Sequence, residues 1–193
     1  MILSVPQKLC LKEKPCIAFD LDNTLIYSTE LPTKDYKFEC IVKNKRYYVH
    51  VRPGAIEILE KLSETFEIFI FSASAKEYGE KIIAQIAPFI PKTKCFFKDS
   101  CIFKFGYAIK DLKLLKRPME KIILVDDILG SGSLQPLNAI AVEPWNGSIQ
   151  DRTLINELLP LLQSCESEEN IARAVHRKMQ EVTYEHLTYY INC

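Results

Sequence analysis

The 193-residue sequence has no net charge, since 25 Lys and Arg balance 25 Asp and Glu. That removes the whole-domain electrostatic case for wrapping nucleic acid or lying on an anionic membrane. No apolar run reaches the ~18 residues that a membrane span needs. The seven cysteines form no C-x-x-C pair, and the three histidines, His50, His176 and His186, are scattered among them. A zinc cluster is therefore not expected. Nor is a disulfide scaffold, because a chain this long can bury a core without staples; reduced thiols in an intracellular protein fit better. The opening MILSVPQKLCLKEKP is too short in its apolar part for a signal peptide. Its low acid content leaves a mitochondrial presequence as the alternative to a nuclear or cytoplasmic location. Repeats and low-complexity segments are missing too, and 48% hydrophobic with 26% charged residues excludes disorder.

Four near-continuous apolar runs are present, at 16–19, 67–71, 121–125 and 138–142. Such runs suit strands buried on both faces, as in a parallel sheet. Helical patterns lie between them. Over 55–65, Ile56, Leu59 and Leu62 recur at helical spacing, with Glu57, Glu60, Lys61 and Glu64 opposite. Residues 75–87 and 151–164 behave similarly. The alternation predicts an α/β fold, a doubly wound parallel sheet flanked by helices. Residues 36–51 read as a hairpin about Lys43-Asn44-Lys45, and 95–109 as further short strands with a turn at Gly106. Both are either ordinary sheet decoration or walls over a site. Residues 170–190 read as a last helix, with Ile171, Ala174, Val175, Met179 and Val182 toward the core and an aromatic end. The expected organisation is one domain over 1–193, with a lead-in at 1–14 and a helical extension at 170–193 packed on the core.

The chemistry lies at the ends of the apolar runs. The first enters Asp20-Leu21-Asp22-Asn23-Thr24, the second Ser72-Ala73-Ser74, and the third Asp126-Asp127. In open α/β sheets, ligands bind at the carboxyl ends of the strands. Each group alone could be a turn residue or a helix cap. Three strand ends of this kind together are much harder to explain as capping. Clustered carboxylates repel by about 4 kcal/mol per pair at 4 Å and an effective dielectric of 20, so a positive partner is required. An oxygen-only set favours a hard cation, and Mg²⁺ suits a phosphate-handling site. Lys110, after the β-like run YAI, is placed to share the neutralisation.

These residues resemble a known family. Asp20-Leu21-Asp22-Asn23-Thr24-Leu25 matches the D-x-D-x-T signature of haloacid-dehalogenase-type phosphatases. The wider pattern is similar to the small phosphatases acting on the carboxy-terminal domain of RNA polymerase II. Arg52-Pro53-Gly54, Phe71-Ser72-Ala73-Ser74 with Tyr78, Tyr107–Leu112 and Ile123–Asp127 carry that likeness. It implies Asp20 as nucleophile, forming an aspartyl-phosphate, and Asp22 as acid and then base. It implies Lys110 as a third catalytic residue that also binds phosphate, and Thr24, Ser72, Ala73, Lys98 and Tyr78 as phosphate and substrate contacts. Mg²⁺ is implied on Asp20, the Asp22 backbone carbonyl and Asp127, with Asp126 beside it.

The implied activity is that of a phosphoserine/phosphothreonine protein phosphatase, with no direct nucleic-acid contact and a monomer as the expected state. This sequence departs from the family at Asp127, often Asn there, at Ile128-Leu129, usually Ser-Pro, and at Lys98, usually Arg. Glu30 and Ala75 fall near more apolar positions of the proline-reading pocket. The departures bear on the substrate rather than the chemistry. Two alternatives stand beside this reading: a small-molecule phosphatase of the same superfamily, and a binding subunit resembling the receptor of the mitochondrial inner-membrane translocase.

Overall fold

A computed structural model describes residues 14–190. The elements run β1 (Cys16–Phe19), β2 (Ile26–Thr29), β3 (Phe38–Val42), β4 (Lys45–Val51), α1 (Ala55–Ser63), β5 (Glu67–Phe71), α2 (Lys76–Ile86), β6 (Cys95–Phe96), β7 (Cys101–Lys104) and β8 (Tyr107–Lys110). They continue with β9 (Ile122–Asp126), β10 (Ala139–Val142), α3 (Leu159–Gln163), α4 (Ile171–Glu181) and β11 (Leu187–Tyr189).

The central sheet has the order β11-β10-β9-β1-β5-β6. All pairings in it are parallel except that of β10 with β11. β1 lies between β5 and β9, and its four residues Cys16, Ile17, Ala18 and Phe19 have no exposed surface. Their alternation divides the core. Ile17, Phe19, Ile68, Ile70, Ile123 and Val125 join the apolar residues of all four helices. Cys16, Ala18, Phe69, Phe71, Ile122 and Leu124 pack instead with Leu112 and Leu115, from a short 3-10 turn. The four apolar runs thus become β1, β5, β9 and β10, and the expected α/β class holds.

The segments between them are partly as expected. β3 and β4 form the 36–51 hairpin, and β2 pairs with β4 to make a separate three-stranded sheet. Lys43 and Asn44 both take positive φ at its turn, the two-residue geometry that matches strand twist. β7 and β8 form a second hairpin closed at Phe105-Gly106. α1 buries Ala55, Ile58, Leu59 and Leu62, while Ile56 is only half-buried. The 151–164 pattern begins with a π-type turn, Leu154–Leu158, before α3. Pro160 follows at the start of α3 and offers no N–H for the regular ladder.

The C-terminal expectation is corrected: the helix stops at Glu181, and Leu187–Tyr189 is an antiparallel strand on β10. Its backbone groups pair with the otherwise open edge of β10, which a helix could not do, and Thr188 and Tyr189 are residue types that suit a strand. The expected lead-in falls mostly on residues 1–13, outside those described. Cys40, Cys95, Cys101 and Cys165 are free thiols.

One buried ion pair fastens the front of the sheet. The fully buried Arg52 donates Nε to Asp151 Oδ1 at 3.0 Å and Nη2 to Oδ2 at 2.9 Å. Its Nη1 donates to the Thr24 carbonyl at 3.1 Å. Gly54, at φ 81°, follows two residues later; a Cβ there would lie 2.3 Å from Ile155 Cγ1. Burial works to raise the Asp151 carboxyl, but the Arg52 hydrogen bonds and charge hold it below the usual range. A lowered carboxyl stabilises the fold above its unfolded value, near 3.9, and loses that contribution as pH falls through the folded value. Asp151→Ala strands the guanidinium and should cost about 3 kcal/mol at pH 7, the lower end for a broken buried pair. Urea unfolding should show the gap between variant and wild type closing below about pH 4.

Candidate active site

The carboxyl ends of β1 and β9 meet where the chain's path across the sheet reverses: β5 and β6 lie to one side of β1, β9 and β10 to the other. Such a switch point leaves a crevice above the strand ends. Asp20 continues β1 by one residue, its N–H donating to Val125 O at 2.9 Å, and Asp126 ends β9 beside it. The following turn is tight. Leu25 and Ile26 N–H both return to the Leu21 carbonyl, and Asn23 takes φ 60°. Leu21 and Leu25 are buried beneath it, and Trp145 N–H holds the Asn23 carbonyl at 2.7 Å.

Lys110, at the end of β8, enters the crevice and is 1% exposed. Its Nζ donates to Asp20 Oδ1 at 2.6 Å and to Asp126 Oδ2 at 2.5 Å. Burial works to lower the ammonium's pKa, but the two carboxylates outweigh it, so the lysine is held charged well above its ordinary range. Burial also raises the Asp20 carboxyl, with Asp126 adding to the rise and Lys110 opposing it. Asp126 Oδ1 accepts the Ile128 N–H at 2.8 Å. Asp127 is pushed up to about 6 by burial and by Asp126, and the Thr24 hydroxyl donates toward it at 3.5 Å.

One lysine does not neutralise this group. Oxygens of Asp20, Asp126 and Asp127 lie within 4.8 Å of one another. An all-oxygen donor set carrying surplus negative charge fits a hard divalent cation.

Asp22 faces another wall. Tyr78, on α2, donates its hydroxyl to Asp22 Oδ1 and accepts from the Ser28 hydroxyl, both at 2.9 Å. Its ring is 7% exposed and meets Tyr47 edge-on. Burial raises the Asp22 carboxyl, and the Tyr78 hydrogen bond resists the rise. At the end of β5, Ser72 Oγ donates to Ser74 Oγ at 2.9 Å and accepts the Ser74 N–H at 3.1 Å. Ala73 lies between them, half-buried. Lys98 is exposed, anchored through its N–H to Ser74 O at 3.0 Å, with Nζ 5.7 Å from the Phe103 ring centre.

The structure therefore gathers Asp20, Lys110, Asp126 and Asp127 in one cluster, with Thr24 on Asp127 and Asp22 joined to Tyr78. Ser28 and Asp151 were not signalled by the sequence. Their partners, Tyr78 and Arg52, lie 50 and 99 residues away. Among the described residues a cleft of about 760 Å³ opens elsewhere, near the amino end of β5 between Phe66, Glu67, Lys94 and Arg117. Concavity alone does not select the site here.

The model of NLI interacting factor-like phosphatases matches residues 15–172, which includes every residue of the cluster. The chain belongs to that family. A human CTD small phosphatase-like protein is 30% identical over 187 residues, covering 91% of this chain and 67% of the relative. The mouse counterpart is also 30% identical and is covered over 60% of its length. The mitochondrial import inner membrane translocase subunit TIM50 of Kluyveromyces lactis is 36% identical over 145 residues, 67% of this chain and 30% of that protein. A solved structure of Fcp1, an RNA polymerase II CTD phosphatase, shares the fold at TM-score 0.59 and 22% identity, covering 89% of this chain and 55% of that one. The chain thus spans between about half and two thirds of most of these proteins. Among the described residues, no helix is long and apolar enough to cross a membrane.

Removing the lysine from between two buried carboxylates should destabilise the family member strongly. Lys110→Ala is expected to lose about 3–5 kcal/mol in urea unfolding with EDTA present. A variant as stable as wild type contradicts the bridge.

Proposed function

We propose that this chain is a Mg²⁺-dependent phosphoserine/phosphothreonine protein phosphatase that works through an aspartyl-phosphate on Asp20. The observation that carries the reading is the buried Lys110 ammonium shared by Asp20 and Asp126 at two adjacent strand ends. Lys110 opposes the burial that raises the Asp20 carboxyl and fixes its orientation at the strand end, as a nucleophile must be fixed before it attacks phosphorus.

The Asp20 carboxylate displaces the serine or threonine alkoxide in line. Asp22, whose carboxyl burial raises toward the protonated form, gives its proton to the leaving oxygen. The same carboxylate, held by Tyr78, then takes a proton from the water that hydrolyses the aspartyl-phosphate. Ser72 Oγ and Lys110 Nζ donate to the phosphoryl oxygens, while Thr24 orients Asp127; Ala73 and Lys98 line the approach. Mg²⁺, held by Asp20, the Asp22 carbonyl and Asp127 with Asp126 beside it, would offset the charge between an anionic nucleophile and an anionic ester.

A protein substrate is favoured because, among the described residues, only the three-stranded sheet and the β7–β8 hairpin are inserted beside the crevice, leaving it open to an extended chain. The translocase-like relatives raise the reading of a binding subunit, and the complete set Asp20, Asp22, Thr24 and Lys110 favours turnover. The free thiols support a reducing compartment, nucleus or cytoplasm.

Asp20→Asn should abolish hydrolysis of para-nitrophenyl phosphate while leaving urea stability near wild type, since neutralising one carboxylate relieves repulsion. EDTA should remove the activity and Mg²⁺ restore it, with beryllofluoride inhibiting only when Mg²⁺ is present. Activity in Asp20→Asn above a few per cent of wild type contradicts the nucleophile.

Substrate choice can be read from kcat/KM on a matched set of phosphoserine peptides and para-nitrophenyl phosphate. The peptides should exceed the small ester, because remote contacts contribute to transition-state binding. The polymerase-tail repeat should not be the preferred peptide. Glu30 is tied to Lys45 at 3.2 Å on the surface, and Lys98 lacks a bidentate fork.

A further inference from the structure

The β7–β8 hairpin that delivers Lys110 carries at its far end a surface that the chemistry does not use. Its register pairs Cys101 with Lys110, Ile102 with Ile109, Phe103 with Ala108 and Lys104 with Tyr107. The connecting residues Phe105 and Gly106 have φ of 54° and 81°. A two-residue turn with both φ positive calls for Asn-Gly or Asp-Gly, and a bulky aromatic is among the worst side chains for its first position.

Phe105 is also 80% exposed and Phe103 58%, with Ile102 and Tyr107 about half exposed beside them. Lys104 Nζ lies 4.7 Å from the Phe105 ring centre and Lys98 Nζ 5.7 Å from that of Phe103. Residues 101–110 include no acid at all. The tip is nonetheless seated: the Tyr107 ring lies against Gly130, where a Cβ would stand 2.7 Å from it. Local folding gains nothing from Phe105, which is costly both in backbone conformation and in hydration. A rule broken without any gain inside the molecule marks a contact made outside it.

We propose that this tip is a docking ridge for the phosphoprotein substrate, receiving an apolar residue with acidic neighbours three or four residues from the phosphorylated one. The inference rests on the phosphatase reading above and adds a specificity subsite to it. The occupant follows from position and charge. From Tyr107 to Lys110, β8 spans about 10 Å, and an extended substrate covers the same distance in three residues. The hairpin is tied to the phosphate-side loop, since Lys98 N–H donates to Ser74 O and Cys101 Sγ to Ser72 O. A chain leaving the crevice on this side meets the rings, and the two ammonium groups over them select carboxylates nearby.

The test compares Phe105→Asn with wild type. Three probes are used: phosphoserine peptides with Leu-Glu placed three residues before or after the phosphoserine, the same peptides with Ser for Leu, and para-nitrophenyl phosphate. The variant should melt at the same temperature or higher, because Asn suits the turn. It should keep hydrolysis of the small ester, which is too short to reach the tip. One of the two Leu-Glu registers should lose about tenfold in kcat/KM, through KM, at the low end of what one apolar contact supplies. The Ser peptides should show no difference.

Equal kcat/KM for both proteins on both Leu-Glu peptides overturns the ridge while leaving the phosphatase reading intact. So does unchanged peptide kinetics accompanied by loss of sedimentation with phosphatidylserine vesicles, which would make the aromatic tip a membrane contact. A wild-type protein that hydrolyses no ester or peptide overturns the phosphatase reading itself.

Discussion

A single buried ammonium permits the rest of the site. Asp20 and Asp126 end neighbouring strands of a sheet whose interior is otherwise apolar, and two carboxylates so placed repel each other in a medium that screens poorly. Lys110 lies between them, brought in by a hairpin that belongs to neither strand. The parallel sheet can therefore end in acid at its switch point without unravelling. The remaining negative charge, shared with Asp127, fits a divalent cation and an ester that brings its own anion.

The second constraint is rigidity in the Asp20–Thr24 turn. Arg52 holds the Thr24 carbonyl from inside the protein, Trp145 holds Asn23, and the Leu21 carbonyl accepts from the N–H groups of Thr24, Leu25 and Ile26. Two of these anchors come from distant parts of the chain, and the third lies within the turn. They leave Asp20 and Asp22 free to differ in surroundings over a two-residue spacing. One side meets an ammonium and the other a phenol. A pair of carboxylates in unlike environments can take unlike roles.

Much of this was legible in the sequence, and the reason is burial. β1, β5, β9 and β10 are buried on both faces, so each appears as a near-continuous apolar run, and the polar residues that follow β1 and β5 or end β9 are the candidate ligands. Lys110 was legible because it follows a β-like run directly. What escaped depends on partners far along the chain. β11 is three residues long and exists because β10 has an open edge; local periodicity in 170–190 continues the helix pattern past Glu181. Ser28 is an ordinary strand residue until Tyr78 folds over it, and Asp151 looks like a loop acid until Arg52 arrives. The family likeness implies Tyr78 as a substrate contact, and its ring is nearly enclosed with the hydroxyl on Asp22.

The sheet order also constrains how the protein is made. β1 is the first strand described, yet it sits in the middle, paired with residues 67–70 on one side and 122–125 on the other. During synthesis the Asp20 segment leaves the ribosome long before Lys110 and Asp126 exist. A carboxylate destined for burial then has no cation to accompany it, so the front of β1 stays hydrated while β1 and β5 find each other. Closure of the crevice waits for more than 100 further residues, and the contacts that complete it are among the most non-local in the molecule, which favours slow late assembly. A truncated product ending before β9 would expose an apolar strand on its open side, a ready target for chaperones and proteases.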